Sequence, residues 1–205
     1  MGIGMAMRLL NSNRAYANIG LALTGFGLLF MGIAALKTTF SGADSLFDLH
    51  FSSGLLAVDI LLFALAGLVL TTLLQSSSLT LTLALTSLAG GIIDLLPAAA
   101  IVIGSNLGST TTAIFAVIGS QPVAKRIVAS HIIFNLLTAI VSLFLLVPLI
   151  WIIHWFQQLV VDDVQFTTTL VLFHTVFNLL GVALIWKLAD PLENWLKTKF
   201  STTEE

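Results

Sequence analysis

Four consecutive hydrogen-bonding side chains, Gln75-Ser76-Ser77-Ser78, sit in a stretch from Ile60 to Ile93 that holds no Asp, Glu, Lys or Arg. In apolar surroundings an unsatisfied polar group is costly, so polar side chains at such depth face a partner, a cavity or a solute. Thr71, Thr72, Thr80, Thr82, Thr86 and Ser87 add hydroxyls on both sides of the run. A second cluster follows at Gly104-Ser105-Asn106-Leu107-Gly108-Ser109-Thr110-Thr111-Thr112. Its two glycines with an asparagine between them predict an opened helical ladder, with backbone groups released to a solute. Carbonyls and hydroxyls are hard oxygen ligands suited to Na⁺, whereas hydroxyls at the positive N-terminal ends of half-helices suit an oxyanion. No Lys or Arg lies between Ile60 and Ala124. An anion bound there finds no fixed positive side chain on this chain, so co-bound cations must supply the neutralising charge.

The elements that position these residues follow from composition. The chain is 58% hydrophobic and 9% charged, with a mean hydropathy of +1.06, against about 25% charged residues in a soluble domain. It reads as an all-α polytopic transmembrane protein embedded in the lipid bilayer. Ile19–Leu36, Leu55–Leu74, Ile127–Trp155 and Phe166–Trp186 each reach the roughly 18 to 20 apolar residues that a membrane helix needs. Leu79–Ala89, Leu95–Ile103 and Leu107–Ile118 are apolar but too short, so they are expected to form one arm of a re-entrant hairpin and the halves of a broken helix. Gly90-Gly91, Asp94 and Pro97 mark the turn between hairpin and broken helix.

The net charge of −2 argues against a nucleic-acid partner, which requires clustered Lys and Arg. Without cysteine there is no disulfide or thiolate chemistry. At the N-terminus Arg8 and Arg14 follow a Gly/Met-rich start, the wrong order for a cleaved signal peptide. Basic residues favour the cytoplasmic side. Residues 1–18 are therefore expected inside, 19–190 as the transmembrane unit and 191–205 as an interfacial or cytoplasmic tail, in a cell membrane. The acidic Asp162-Asp163 loop and Lys37 then lie outside, and Lys125-Arg126 and the C-terminal lysines inside. Lys37–Gly54 is expected to be a loop with a short interfacial piece at Leu46–Phe51, and the residues after Asp190-Pro191 an amphipathic helix.

One internal echo stands out: His131-Ile-Ile-Phe134-Asn135-Leu-Leu and His174-Thr-Val-Phe177-Asn178-Leu-Leu. His and Asn four apart share a helix face. On antiparallel spans the two copies are expected near opposite membrane surfaces, with both histidines in packing roles. Asp59 and Asp94 are read as solvated or capping groups.

The ordered set of Thr71-Thr-Leu-Leu-Gln75-Ser-Ser-Ser78, Ile103-Gly-Ser-Asn-Leu-Gly-Ser-Thr-Thr-Thr-Ala113 and His131-Ile-Ile-Phe-Asn135-Leu-Leu resembles the sodium/phosphate cotransporter family, type II with bacterial relatives. Gly25-Phe-Gly-Leu-Leu-Phe-Met-Gly32 is similar to the opening glycine-rich span of that family. The resemblance implies a secondary transporter, not an enzyme, made of two inverted repeats that bind Na⁺ and inorganic phosphate between them. Gln75, Ser76, Ser77 and Ser78 would be the hairpin-tip ligands, with Ser105, Asn106, Ser109 and Thr110 their neighbours at the second break. Na⁺, the coupling ion, would lie at Gln75, Ser76, Ser77 and Asn106, and no other cofactor is implied. This chain has one Gln-Ser-Ser-Ser run where the family has two, so it resembles a single repeat, most like the second half. A partner half is then implied, as a separate chain or an upstream segment. Other classes are an intramembrane serine hydrolase, pairing a serine with His131 or His174 although no Gly-x-Ser-x-Gly elbow is present, and a non-transporting assembly or regulatory subunit.

Overall fold

The computed structural model describes residues 1–10, 13–41 and 56–201. It divides into two units, Met1–Phe47 and Asp48–Glu205. The described residues form helices and turns without any strand, in keeping with an all-α membrane protein. Among the described residues, five helical stretches are long and apolar enough to cross a bilayer.

The first unit holds α1 (Gly2–Leu10) and α2 (Arg14–Ser41). Asn13 caps α2, its side-chain oxygen accepting from the Ala15 amide at 3.0 Å. The two helices pack closely at small residues: a methyl at Gly4 would lie 2.6 Å from the Gly20 carbonyl oxygen. The expected span Ile19–Leu36 lies within α2, which runs on through Lys37 to Ser41 where a loop was expected. The predicted piece at Leu46–Phe51 lies outside the described residues.

The second unit contains α3 (Leu56–Leu74), α4 (Ser77–Ala89), α5 (Leu95–Gly108), α6 (Thr110–Ala116), α7 (Pro122–Phe144), α8 (Leu146–Gln158), α9 (Phe166–Trp186) and α10 (Ala189–Lys199). Helix α5 is its core, touching α3, α4, α7, α8 and α9. Its residues Ala98, Ala99, Ala100, Val102 and Ile103 are fully or almost fully buried. Small side chains permit this. A methyl group at Gly104 would sit 1.8 Å from the Ala64 carbonyl oxygen, and one at Gly67 would sit 2.1 Å from that of Ile101. Helices α3 and α5 thus meet backbone to backbone, the arrangement by which membrane helices associate without a hydrophobic driving force.

Helices α3 and α4 form the expected hairpin. Thr71 donates to the Thr80 hydroxyl at 2.8 Å. Nine residues of continuous helix would separate these two by about 13 Å, so the chain must fold back between them. After α4, Gly91 at φ +74° makes the turn that glycine favours. Asp94 then opens α5 in an extended conformation, with Pro97 in its first turn.

Two expectations require correction. The ladder at Gly104–Ser109 is not opened: Ser109 keeps α-helical dihedrals and its amide still reaches the Ser105 carbonyl at 3.1 Å. The glycines there serve close packing against α3 instead. The predicted continuous span Ile127–Trp155 is two helices, α7 and α8, meeting at Leu145. Pro148 explains the break, since it has no amide proton for the Phe144 carbonyl and its ring crowds that position. Helix α9 has the predicted bounds and runs back along both pieces, with Gly181 against Thr138 and Thr169 donating to the Gln157 side-chain oxygen at 2.7 Å. The shorter path from Thr169 to Gly181 matches the longer one from Thr138 to Gln157, so the bend takes up length.

Helix α10 is amphipathic, with Leu196 buried. Pro191 sits in its first turn, where a missing amide proton costs nothing. The Arg126 side chain on α7 donates to the Phe200 carbonyl at 2.8 Å. Lys197, 2.7 Å from Glu193, holds that exposed carboxyl below its ordinary range.

Gly104→Leu should lower stability by about 3 kcal/mol or more, because overpacking has no relief where the neighbour is backbone. Gly25→Leu, where the added side chain meets open space, should leave it unchanged. Thermal unfolding of both variants in detergent, followed by tryptophan fluorescence, checks the contrast.

Candidate functional site

The hairpin tip is built by two residues. Gln75 adopts a left-handed conformation at φ 53°, uncommon for a residue with a β-carbon and a local cost that the surrounding packing must offset. Its carboxamide nitrogen folds back to donate to the Thr72 carbonyl. Ser76 is extended, and its hydroxyl caps α4 by accepting from the Leu79 amide at 3.3 Å. Their side chains are therefore engaged in making the turn. Ser77 and Ser78 open α4, at the positive end of its dipole.

Ser77 and Ser78 line a cavity of about 60 Å³ together with Leu81, Ser105, Asn106 and His174. It has room for a few waters or a small ion. Four of the eight predicted ligands thus share one wall system. Gln75 and Ser76 lie beside it in the turn. Ser109 and Thr110 sit at the junction of α5 and α6, donating to the Asn106 and Leu107 carbonyls at 2.6 and 2.8 Å.

The two sides of the cavity differ in chemistry. On α5 the Ser105 hydroxyl donates to the Val102 carbonyl at 2.8 Å. Its proton is turned into the helix and its lone pairs remain for a donor or a cation. Asn106 spends an amide proton on the Asn135 side-chain oxygen at 2.7 Å, which leaves its own carbonyl oxygen as an acceptor. On α4 the serines offer hydroxyls at a helix N-terminus, suited to negative charge. No carboxylate, Lys or Arg among the described residues lines the cavity. Among the described residues, no three His, Cys, Asp or Glu gather as a metal site, so a cation here would be held by neutral oxygens.

The His-x-x-x-Asn echo is where the prediction departs most from the fold. Its copies were expected near opposite surfaces, yet one residue from each reaches α5 at the same place. Asn135 of the first copy is 2% exposed, hydrogen-bonded to Asn106 and anchored by donating to the His131 carbonyl at 3.0 Å. His174 of the second copy lines the cavity beside Asn106, its ring edge-on to Phe177 with centroids 5.5 Å apart. The repeated heptad was the signal available in the sequence. Its convergence required knowing that α5 packs against both α7 and α9.

The sequence profile of the Na⁺/Pi-cotransporter family matches residues 57–158, from α3 to the end of α8. This chain belongs to that family. Over 142 residues, 66% of the chain, it is 29% identical to the uncharacterized protein YqeW of Bacillus subtilis (strain 168), of which it covers 44%. Over 123 residues, 58% of the chain, it is 40% identical to sodium-dependent phosphate transport protein 2C of Mus musculus, of which it covers 19%. The chain thus spans less than half the length of either relative. No solved structure matches. The Na⁺/Pi-cotransporter family is one of transporters, so the proximity of serine and histidine at the cavity does not mark a hydrolase.

Asn135→Ala would leave the Asn106 amide without its acceptor and should cost about 1–3 kcal/mol. The double variant Asn106→Ala/Asn135→Ala should cost less than the sum of the single changes, as contacting partners do. Melting of the four proteins in detergent measures this, and strict additivity would dissolve the proposed link.

Proposed function

We propose that residues 19–190 form one repeat of a sodium-coupled inorganic phosphate transporter of the cell membrane, a bacterial inner membrane, with residues 1–18 and 191–205 on its cytoplasmic side. The observation that carries this reading is the neutral cavity at the hairpin tip, lined by Ser77, Ser78, Ser105 and Asn106 within an apolar helical unit. The family match spans all four residues.

Phosphate binds at the α4 N-terminus, against Ser77 and Ser78. Na⁺ takes the oxygen-rich side at Ser77 and Asn106 and reaches the turn at Gln75 and Ser76; Ser109 and Thr110 hold the α5–α6 junction behind it. Coupling follows from electrostatics. A multivalent oxyanion in a site without fixed cations is prohibitively costly to desolvate, and sodium ions binding with it remove most of that cost. One repeat supplies one hairpin, so a second half completes the enclosure, as another chain or another part of the same protein. The likeness to the mouse relative, a sodium-dependent phosphate transport protein by name, supports this assignment.

Uptake of ³²P-orthophosphate by membrane vesicles from cells carrying the full-length gene tests the reading. Replacing sodium by choline should reduce the initial rate at least about tenfold, the scale of losing one charge-assisted interaction. Gln75→Ala should do the same. Gln75→Gly preserves the left-handed turn while deleting the carboxamide, so loss of uptake in that variant assigns Gln75 a ligand role. Equal uptake in choline and sodium would overturn the coupling.

A further inference from the structure

Basic residues gather at one end of the second unit. Lys125 and Arg126 lie in the first turns of α7, Lys187 follows α9, and Lys197 and Lys199 close α10. Asp190 and Glu193 are the acidic residues of α10. Between the start of α7, the last turn of α9 and α10 runs a groove of about 580 Å³, within the roughly 300–1,000 Å³ of sites that hold small molecules. Its walls are apolar, formed by Val123, Ile127 and Phe134 on α7, Ile185 on α9 and Leu192 on α10. Arg126, Lys197 and Glu193 line it as well. Two cations and one carboxylate leave the lining at a net charge of +1, with His131 counted as neutral. Glu193 pairs with Lys197 at 2.7 Å. Arg126 is fixed in place by its Nε, which donates to the Phe200 carbonyl at 2.8 Å.

The depth of the groove follows from its elements. Helices α7 and α9 are long and apolar enough to cross a bilayer, and the groove lies where α7 begins and α9 ends. Trp186 and Trp195, beside it in sequence, are exposed. Tryptophan collects where hydrocarbon meets water. Val123 and Ile127 are each more than half exposed, apolar surface that acyl chains cover more favourably than water.

We propose that this groove is a binding site for an anionic phospholipid of the surrounding bilayer, with the headgroup phosphate against Arg126 and Lys197 and an acyl chain along Val123, Ile127 and Phe134. A guanidinium presents a planar fork that matches phosphate oxygens, and basic pockets between membrane helices select anionic headgroups. A zwitterionic phospholipid fits the apolar wall equally well but brings a further cation beside Arg126 and Lys197. A second copy of the chain in a two-fold contact would set one positive groove against another. A soluble anion would leave the apolar wall in water. The lipid so bound joins α10 to α7. This inference stands apart from the phosphate-transport reading, because it uses neither the hairpin tip nor sodium.

The test is native mass spectrometry of the whole chain in detergent, mixed with equal amounts of phosphatidylglycerol and phosphatidylcholine of identical acyl chains. Phosphatidylglycerol should be retained about fivefold more, the scale for one basic side chain beside anionic lipid. Arg126→Gln should remove the preference. Glu193→Gln, which deletes the carboxylate from the lining while Lys197 keeps its charge, should raise it by a similar factor. A merely structural role of these side chains would not give opposite signs. Glu193 is exposed, so its variant leaves the core untouched and decides the outcome where Arg126→Gln does not fold. Equal retention of the two lipids by wild type overturns the proposal, as does a preference that survives Arg126→Gln or that Glu193→Gln fails to raise. Displacement of phosphatidylglycerol by excess inorganic phosphate would make this a soluble-anion site and overturn it too. So would a dimer that excludes phosphatidylglycerol, which would make the groove a contact between copies.

Discussion

The contact between the backbones of α3 and α5 is the constraint from which the site follows. At Gly104 and Gly67 the two helices approach until no β-carbon fits between them. That closeness carries α4, joined to α3 by two residues, onto the same flank of α5. Ser77 and Ser78 on one arm and Ser105 and Asn106 on the other share a cavity because the intervening helices leave so little space. In a membrane such proximity cannot rely on apolar burial, since lipid tails are as apolar as leucine. Small residues and dispersion contacts have to provide it.

A second consequence concerns charge. Helix α5 is buried along most of its length, and any ionised side chain on it would be stranded in low dielectric. The polar groups along it and into α6 are therefore neutral and largely satisfied by local backbone, as the hydroxyls of Ser105, Ser109, Thr110, Thr111 and Thr112 each donate to a carbonyl three residues back. Satisfying the protons in this way leaves oxygen lone pairs as the exposed chemistry. The same economy governs the remaining buried polar pairs, Thr71 with Thr80 and Gln157 with Thr169, which tie neighbouring helices together.

Much of the architecture was legible in the residues. Helix α9 has its predicted bounds, and α3 and α4 start within two residues of theirs, because long charge-free stretches bounded by polar clusters have few alternatives in lipid. The hairpin was legible because the apolar arm Leu79–Ala89 is too short to cross a bilayer and follows four polar residues. The misreadings have physical causes. Gly104 and Gly108 were taken as breakers, although glycine serves close helix contact equally well and only the neighbour decides which role applies. The break at Leu145 was missed because its cause, Pro148, lies three residues later inside an uninterrupted apolar run. The histidine-asparagine echo was read along each helix separately, which hid the convergence of Asn135 and His174 on Asn106.

The residues by themselves determined that this is a helical membrane protein of the Na⁺/Pi-cotransporter family, with a neutral polar turn at Gln75–Ser78. These are properties of composition and local order, which hydropathy and ordered motifs express without reference to any neighbour. Tertiary structure alone decided which polar residues face one another. It placed Ser77, Ser78, Ser105, Asn106 and His174 around one cavity and left Gln75 and Ser76 to shape the turn. That selection depends on how closely and in what register helices distant in the chain pack, a quantity no single helix encodes.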